Sequence, residues 1–324
     1  MVGVGSLGYH HARILQGMGS FDLKGFVDTR PERATEVAGA LGLRAYPDLA
    51  TMLDHVDAIT VAVPTPAHFA VASVALERGR HVLLEKPITA TLTEADELLE
   101  IARRNGAVIQ TGHVERFNRA IRAAFPHVHE PRFIESDRLA PFSVRGSDVA
   151  VVLDLMIHDI DLVLALAGED VVALSALGVP VLTPTVDIAN ARLTFASGAI
   201  ADITASRISR ERMRKIRIFQ RSGYLTLDLA AGSGEYYRLR DDFDPAKLAS
   251  GAAQPFDFVE RVPLDAPEDD ALRLELESFS DAVRGAAPPP VSGEDGRRAL
   301  SVALRIVAEI ERTLPSLRGR APAT

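Results

Sequence analysis

The chain opens with "MVGVGSLGYHHARIL" (residues 1–15), where Gly3, Gly5 and Gly8 are spaced G-x-G-x-x-G and a helical apolar pattern follows through Ile14 and Leu15. A glycine triplet alone is weak evidence, so the flanking sequence decides. "LKGFVD" (23–28) reads as a strand and ends on Asp28, 20 positions after Gly8. In dinucleotide-binding folds the glycines allow a tight turn and a close approach of backbone to pyrophosphate. The helix N-terminus then stabilises the phosphate charge, and an acid at the end of the second strand accepts from the adenosine ribose hydroxyls. Gly3, Gly5, Ser6, Leu7, Gly8 and Asp28 are therefore the expected cofactor-binding residues. An acid at that position repels a 2′-phosphate, so NAD is expected in preference to NADP; Arg30, two residues on, keeps NADP as the lesser alternative. Only Met1 and Val2 precede Gly3. A first strand normally offers more, so either the start is trimmed or it lies upstream.

Strand and helix patterns go on alternating. "DAITVAVP" (57–64), "HVLLEK" (81–86) and "AVIQTG" (107–112) read as strands, and "AHFAVASVALERG" (67–79) and "TEADELLEIARRNG" (93–106) as helices, the latter with Thr93 and Asp96 as its expected start cap. This rhythm predicts a parallel sheet covered by helices on both faces, a Rossmann-type doubly wound α/β domain over residues 1–118. Ligands of such sheets bind at the carboxyl ends of the strands. Gly3–Gly8, Asp28, Pro64-Thr65, Glu85-Lys86 and Gly112-His113 all fall there. Lys86 stands out. The chain has 36 Lys and Arg residues, of which only Lys24, Lys86, Lys215 and Lys247 are lysines. Arginine supplies charge elsewhere, whereas a lysine can lose its proton when desolvated, so its choice at a strand end points to chemistry or to a plain solvated terminus.

After about residue 120 the rhythm changes. "PRFIESDRL" (131–139), "VVALSALGVP" (171–180), "DIANARLTFA" (187–196), "AIADITASRI" (199–208), "RKIRIFQ" (214–220) and "GYLTLDL" (223–229) look like strands joined by short turns. They predict an α+β domain, residues 119–324, on a largely antiparallel sheet. Between the first two strands "SDVAVVLDLMIHDIDLVLALAG" (147–168) reads as a long apolar helix interrupted by Asp154, His158 and Asp161 at i, i+4 and i+7, one stripe along one face. Burying three such groups costs several kcal/mol unless they are mutually hydrogen-bonded or meet a ligand. The stripe is either solvated or a site, and two carboxylates beside a histidine would orient it as a general base. A metal site is the weaker reading, since no further His lies at metal spacing and the chain has no cysteine. Arg207, Arg210, Arg212, Arg214 and Arg217 crowd one strand–turn–strand, either as forks for a diphosphate or as a charged outer face.

Composition sets outer bounds. A net charge of -8 argues against nucleic-acid binding, and the absence of cysteine excludes disulfides and leaves the cytoplasm as the natural compartment. No apolar run is long enough to span a membrane.

Glu85-Lys86-Pro87 at a strand end, the glycine fingerprint and Asp154-x-x-x-His158 on a helix together resemble the glucose-fructose oxidoreductase / inositol dehydrogenase (Gfo/Idh/MocA-like) family, over essentially the whole chain including "PPVSGEDGRRALSVALRI" (289–306). The resemblance implies that Lys86 and His158 are catalytic with Asp154 assisting. It also implies a large open C-terminal sheet that mediates homodimers or homotetramers. "TGHVERFNRA", "LDLMIHDIDLVLAL" and "TASRISRERMRKIRIFQ" look like the branch that oxidises the 3-hydroxyl of UDP-N-acetylglucosamine in lipid A precursor synthesis. On that reading Glu85 helps to place Lys86, Thr65 and His68 border the nicotinamide ribose, and His113, Arg116, Arg207 and Arg214 meet the substrate. Dehydrogenation of a free polyol, inositol or other keto-sugar is the alternative. A non-catalytic dinucleotide-binding redox sensor would keep the glycines without needing Lys86 or His158.

Overall fold

The computed structural model describes residues 1–143 and 149–318 of the 324-residue protein, and the chain divides into two compact units. The first unit begins with helices α1 (Ser6–Gln16), α2 (Pro31–Leu41) and α3 (Leu49–Leu53), then alternates β1 (Ala58–Val61), α4 (His68–Glu77), β2 (His81–Glu85), α5 (Leu92–Asn105) and β3 (Ile109–Gly112). The strands are parallel in the order β1-β2-β3, with Ile59 beside Val82 and Val82 beside Ile109. Beyond β1 the sheet continues as single bridges: Val2 pairs with both Val61 and Val27, and Phe26 pairs with Ala45. The strand expected over 23–28 is thus reduced to Phe26 and Val27. Val82, Leu83 and Leu84 are all buried, as a strand covered on both faces requires.

Helix α5 starts one step earlier than expected. Thr91, not Thr93, caps it, accepting from the Glu94 N–H at 3.2 Å while Glu94 accepts from the Thr91 N–H at 3.0 Å. Asp96, expected in the cap, pairs with Arg297 instead.

The second unit starts at Asn118 with α6 (Arg119–Ala124) and β4 (Phe133–Leu139). The helix expected over 147–168 begins outside the described residues. Among those described, it opens with a π-helical turn, Val152–Met156, and continues as α7 (Ile157–Ala167). Then come β5 (Val171–Val179), β6 (Ile188–Phe195), β7 (Ile200–Ser206), β8 (Met213–Gln220), β9 (Gly223–Asp228), β10 (Ser233–Leu239), the short α8 (Pro245–Ala249) and β11 (Val259–Leu264). The sheet has eight strands in the order β11-β10-β9-β8-β4-β7-β6-β5, antiparallel except for β4 beside β7. Burial alternates along it: Ile134, Ser136 and Arg138 of β4 are buried while their neighbours are not, and Ala201 and Ile203 of β7 behave alike. One face is therefore covered and the other open. Arg138 and Ser136 reach Asp159 of α7 from the covered face, Ser136 Oγ at 2.9 Å, so a charge in the apolar helix is held by a buried fork.

The chain then returns to the first unit. Helix α9 (Ala271–Val283) buries Leu276 and Phe279 with Leu15 of α1, Met18 just beyond that helix and Leu83 of β2. Beyond it, Thr111 donates to the Val291 carbonyl at 3.0 Å and Gln110 bridges Ser292. The last helix, α10 (Gly293–Arg318), belongs to the first unit up to Ser301 and to the second from Val302. The expected division at 118/119 missed this return of Asp269–Ser301. Among the described residues no helix is long and apolar enough to cross a membrane.

One buried pair organises the turn between β5 and β6. Asp187, fully buried, accepts from the N–H groups of Val181, Leu182 and Thr183 at 2.7, 2.6 and 2.9 Å and from Arg207 Nε at 3.0 Å. Burial alone would raise its pKa, but the Thr183 and Val181 N–H groups and the Thr183 hydroxyl outweigh that and lower it from 3.8 to about 2. Asp187→Asn should cost about 3–5 kcal/mol, because it leaves Arg207 buried beside a neutral partner. Since the folded pKa is depressed, this contribution is complete above about pH 4 and lost as the pH falls toward about 2. Calorimetry of both proteins should show the difference in Tm closing across that window.

Candidate active site

In the first unit the glycine turn sits at the end of the segment bridged through Val2. Gly3 has φ 79°, and an added Cβ would stand 2.9 Å from the Ala62 carbonyl oxygen; a Cβ on Gly8 would stand 1.9 Å from the Gly3 carbonyl oxygen. The protein itself needs both glycines. Gly5 differs: the nearest atom to its added Cβ is an Arg30 guanidinium nitrogen at 3.8 Å, so the space above it is open. Gly5 is also the N-cap of α1, where no side chain caps the first turn and no acid lies in it. Ser6 and Leu7 continue that turn. Free N–H groups, a positive helix end and room for backbone approach fit a diphosphate.

Asp28 closes the other end of the cradle. It accepts from the Val4 N–H at 2.9 Å and the Arg30 N–H at 3.0 Å, and pairs with the Arg30 guanidinium at 3.2 Å. Burial would raise its pKa, yet the hydrogen bonds from Arg30 and Val4 hold it below the ordinary carboxylate value. An ionised acceptor at this place suits ribose hydroxyls. Gly5, Ser6, Tyr9, His10, Arg30 and Arg33 line an open hollow of about 440 Å³ beside it.

Thr65 is half-buried at the start of a short turn after β1, and Lys86 is half-buried directly after β2. Glu85, the last residue of β2, accepts from the Lys86 N–H at 3.3 Å, and its other oxygen lies 3.1 Å from Nε2 of His11 on α1. His68 is 1% exposed, with Nδ1 2.8 Å from the Pro87 carbonyl oxygen and Nε2 3.0 Å from that of Val63. Burial holds its imidazole below the ordinary pKa, although both carbonyls favour the charged ring. A neutral ring donates to one of these two carbonyls at a time, so His68 sits buried between two strand ends. His113 is buried just after β3, and Arg116 follows it in a half-buried turn.

In the second unit Asp154 lies in the π-helical turn and His158 in the first turn of α7, both half-buried, whereas Asp161 is buried. Single π turns recur at functional sites. The five arginines do not share one face. Arg207 is consumed by Asp187 and by the carbonyls of Val149 and Val186 at 2.6 and 2.8 Å, which makes it part of the fold rather than a substrate fork. Arg217 pairs with Glu135 at 2.7 Å, and Arg214 stands exposed at the start of β8, on the strand face of Ile216 and Ile218. Sequence reading also missed His11, Asp159 and Glu275. The signal for His11 is its place three residues after Gly8, on the buried side of α1, whereas Glu275 carries no local signal.

Glycines cradling an open helix end, an acid for ribose and a parallel sheet beneath them define a dinucleotide-dependent oxidoreductase. Residues 1–113 match the oxidoreductase family with an NAD-binding Rossmann fold, and residues 119–226 match the GFO/IDH/MocA C-terminal domain. The chain belongs to the Gfo/Idh/MocA oxidoreductase family. It is 37% identical to the UDP-N-acetylglucosamine 3-dehydrogenase of Acidithiobacillus ferrooxidans, over 96% of each chain. A solved structure of that enzyme superposes with a TM-score of 0.88, covering 97% of both. The myo-inositol 2-dehydrogenase of Thermotoga maritima is 28% identical over 93% of this chain and 92% of its own.

The acid makes a prediction about cofactor choice. NAD should be preferred, and Asp28→Ala should shrink the preference by removing repulsion of a 2′-phosphate and releasing Arg30. Titrating NAD and NADP into both proteins tests this; equal preference before and after the substitution would count against Asp28 as the discriminator.

Proposed function

We propose that the protein is an NAD-dependent sugar dehydrogenase acting on the 3-hydroxyl of UDP-N-acetylglucosamine, giving a 3-keto sugar for lipid A precursor synthesis in the cytoplasm. The observation that carries the reading is the full-length likeness to the Acidithiobacillus ferrooxidans enzyme. Bound NAD would supply the hydride acceptor, held by Gly3, Gly5, Ser6, Leu7, Gly8 and Asp28, with Thr65 on the ribose side. His158, oriented by Asp154, would take the hydroxyl proton. Lys86 would hydrogen-bond the same oxygen, so that its charge stabilises negative charge developing there. His113, Arg116 and Arg214 remain the candidate substrate ligands.

A second reading, oxidation of a free polyol or inositol, is favoured by one finding: Arg207 is built into the fold, so the diphosphate loses one of its expected forks. Self-association through the open face of the eight-stranded sheet belongs to either reading. Rings of Phe133, Phe219, Tyr224 and Tyr237 line up across β4, β8, β9 and β10 with centroids 5.8, 5.6 and 4.7 Å apart. Leu177 at 50% exposure and Val179 at 39% extend apolar surface on the β5 edge. Light scattering at rising concentration measures the expected dimer or tetramer.

A panel of UDP-N-acetylglucosamine, other nucleotide sugars and free inositols, read by reduced-nicotinamide absorbance, separates the two substrate readings. Turnover of inositol alone would overturn the first. Lys86→Met should still bind NAD while turnover falls on the order of 10²–10³-fold, the usual loss of one preorganised donor. Lys86→Arg should not restore it, because the wider guanidinium does not fit a slot made for an ammonium. Near-normal turnover in Lys86→Met would remove the lysine from the mechanism.

A further inference from the structure

We infer that His11, Glu85 and Glu275 form a buried positioning device that ties Lys86 to the helix bearing the phosphate cradle. The inference rests on the catalytic reading of Lys86 given above. Side-chain ligand atoms of all three residues lie within 4.8 Å of one another, and all three are buried: His11 1%, Glu85 9% and Glu275 0% exposed. They come from three elements far apart in sequence, α1, the end of β2 and α9. Two carboxyl groups and an imidazole brought out of water to one buried point cost desolvation that leucine at the same places would not. Such an arrangement persists where geometry matters more than stability.

The connections run in one direction. His11 follows Gly8 by less than one helical turn, so its place is set by the same close approach that sets the cradle. Its Nε2 lies 3.1 Å from one Glu85 oxygen, and the other Glu85 oxygen accepts from the Lys86 N–H at 3.3 Å. Across the sheet, Gly112 is the register partner of Glu85. A Cβ on Gly112 would lie 3.0 Å from the carboxyl carbon and from both oxygens, so the neighbouring strand leaves a slot of the carboxylate's size. On the other side of Lys86 the Pro87 carbonyl is engaged by His68 at 2.8 Å. The backbone of Lys86 is thereby held on both sides, and the root of its side chain is tied to α1 through Glu85 and His11. Glu275 supplies the third side of the clamp from a segment the chain returns late. His11, Glu85 and Glu275 are positioning residues in this scheme: they act through Lys86.

Gly112→Ala tests it without deleting any charge. Gly112 lies outside the positive-φ glycines, so alanine fits the backbone, and the added methyl displaces only the flexible end of Glu85 by a few tenths of an ångström. With UDP-N-acetylglucosamine and myo-inositol as alternative substrates, Gly112→Ala and Glu275→Gln should each lower kcat by roughly three- to tenfold, since misplacement of about 1 Å can cost 10²-fold and the shift here is a few tenths of that. NAD affinity by titration calorimetry should stay within about twofold, and Tm should remain that of a folded protein. In a Lys86→Met background neither substitution should lower turnover further. Three results would overturn the device: unchanged kcat in folded Gly112→Ala, losses that follow NAD affinity, or losses that multiply with that of Lys86→Met. If Glu275→Gln does not fold, Gly112→Ala decides alone. If Lys86→Met itself turns over normally, the catalytic reading of Lys86 fails instead, and the two failures are distinguishable.

Discussion

Helix α1 lies so close to the segment before it that a single methyl on Gly8 would fall 1.9 Å from a carbonyl oxygen. No rotamer relieves a clash of that size, so the contact admits only glycine and dictates where the helix begins and points. Its open N-terminus, the position of Asp28 beside the Val4 N–H and the buried side that carries His11 follow from it. The cofactor seat and the support behind Lys86 are two faces of one helix.

The second unit solves a different problem. Its eight-stranded sheet has one face under helices and one face without cover. Two of its buried charge pairs are matched closely, Arg138 with Asp159 and Arg207 with Asp187. The first holds the helix that follows the π turn, the second the loop between β5 and β6. Asp154 and His158 thus stand on a helix whose placement rests on an ion pair one residue away.

Much of this was legible because it is local. G-x-G-x-x-G followed by a helix, alternation of apolar strands with amphipathic helices, and Asp28 at a strand end are short-range patterns, and they led to the parallel sheet and its cradle. Strands β10 and β11 were missed because "SGEYYRL" and "VERVPL" are half polar and lie apart, paired only by the fold. Arg207 looked like a ligand because its neighbours in sequence are arginines, whereas its partner, Asp187, is 20 residues away in the turn before β6. The burial of His68 between the carbonyls of Val63 and Pro87 carries no local mark, since the two come from different strand ends. Glu275 had no local mark, since only the return of the chain brings it to His11 and Glu85.

That return has a consequence for synthesis. The first unit is made of Met1–Phe117 and Asp269–Ser301, with the whole sheet of the second unit inserted between them. A ribosome delivers the cradle, Asp28 and Lys86 early, yet α9 and the Ser292 edge arrive only after about nine-tenths of the chain has been made. Until then Leu83, Leu15 and Met18 lack Leu276 and Phe279, and the sheet edge at Gln110 and Thr111 is bare. The nascent dinucleotide unit must wait, unfinished, while the later unit emerges, and a fragment cut at Phe117 would keep every cofactor motif but not the segment that completes its core.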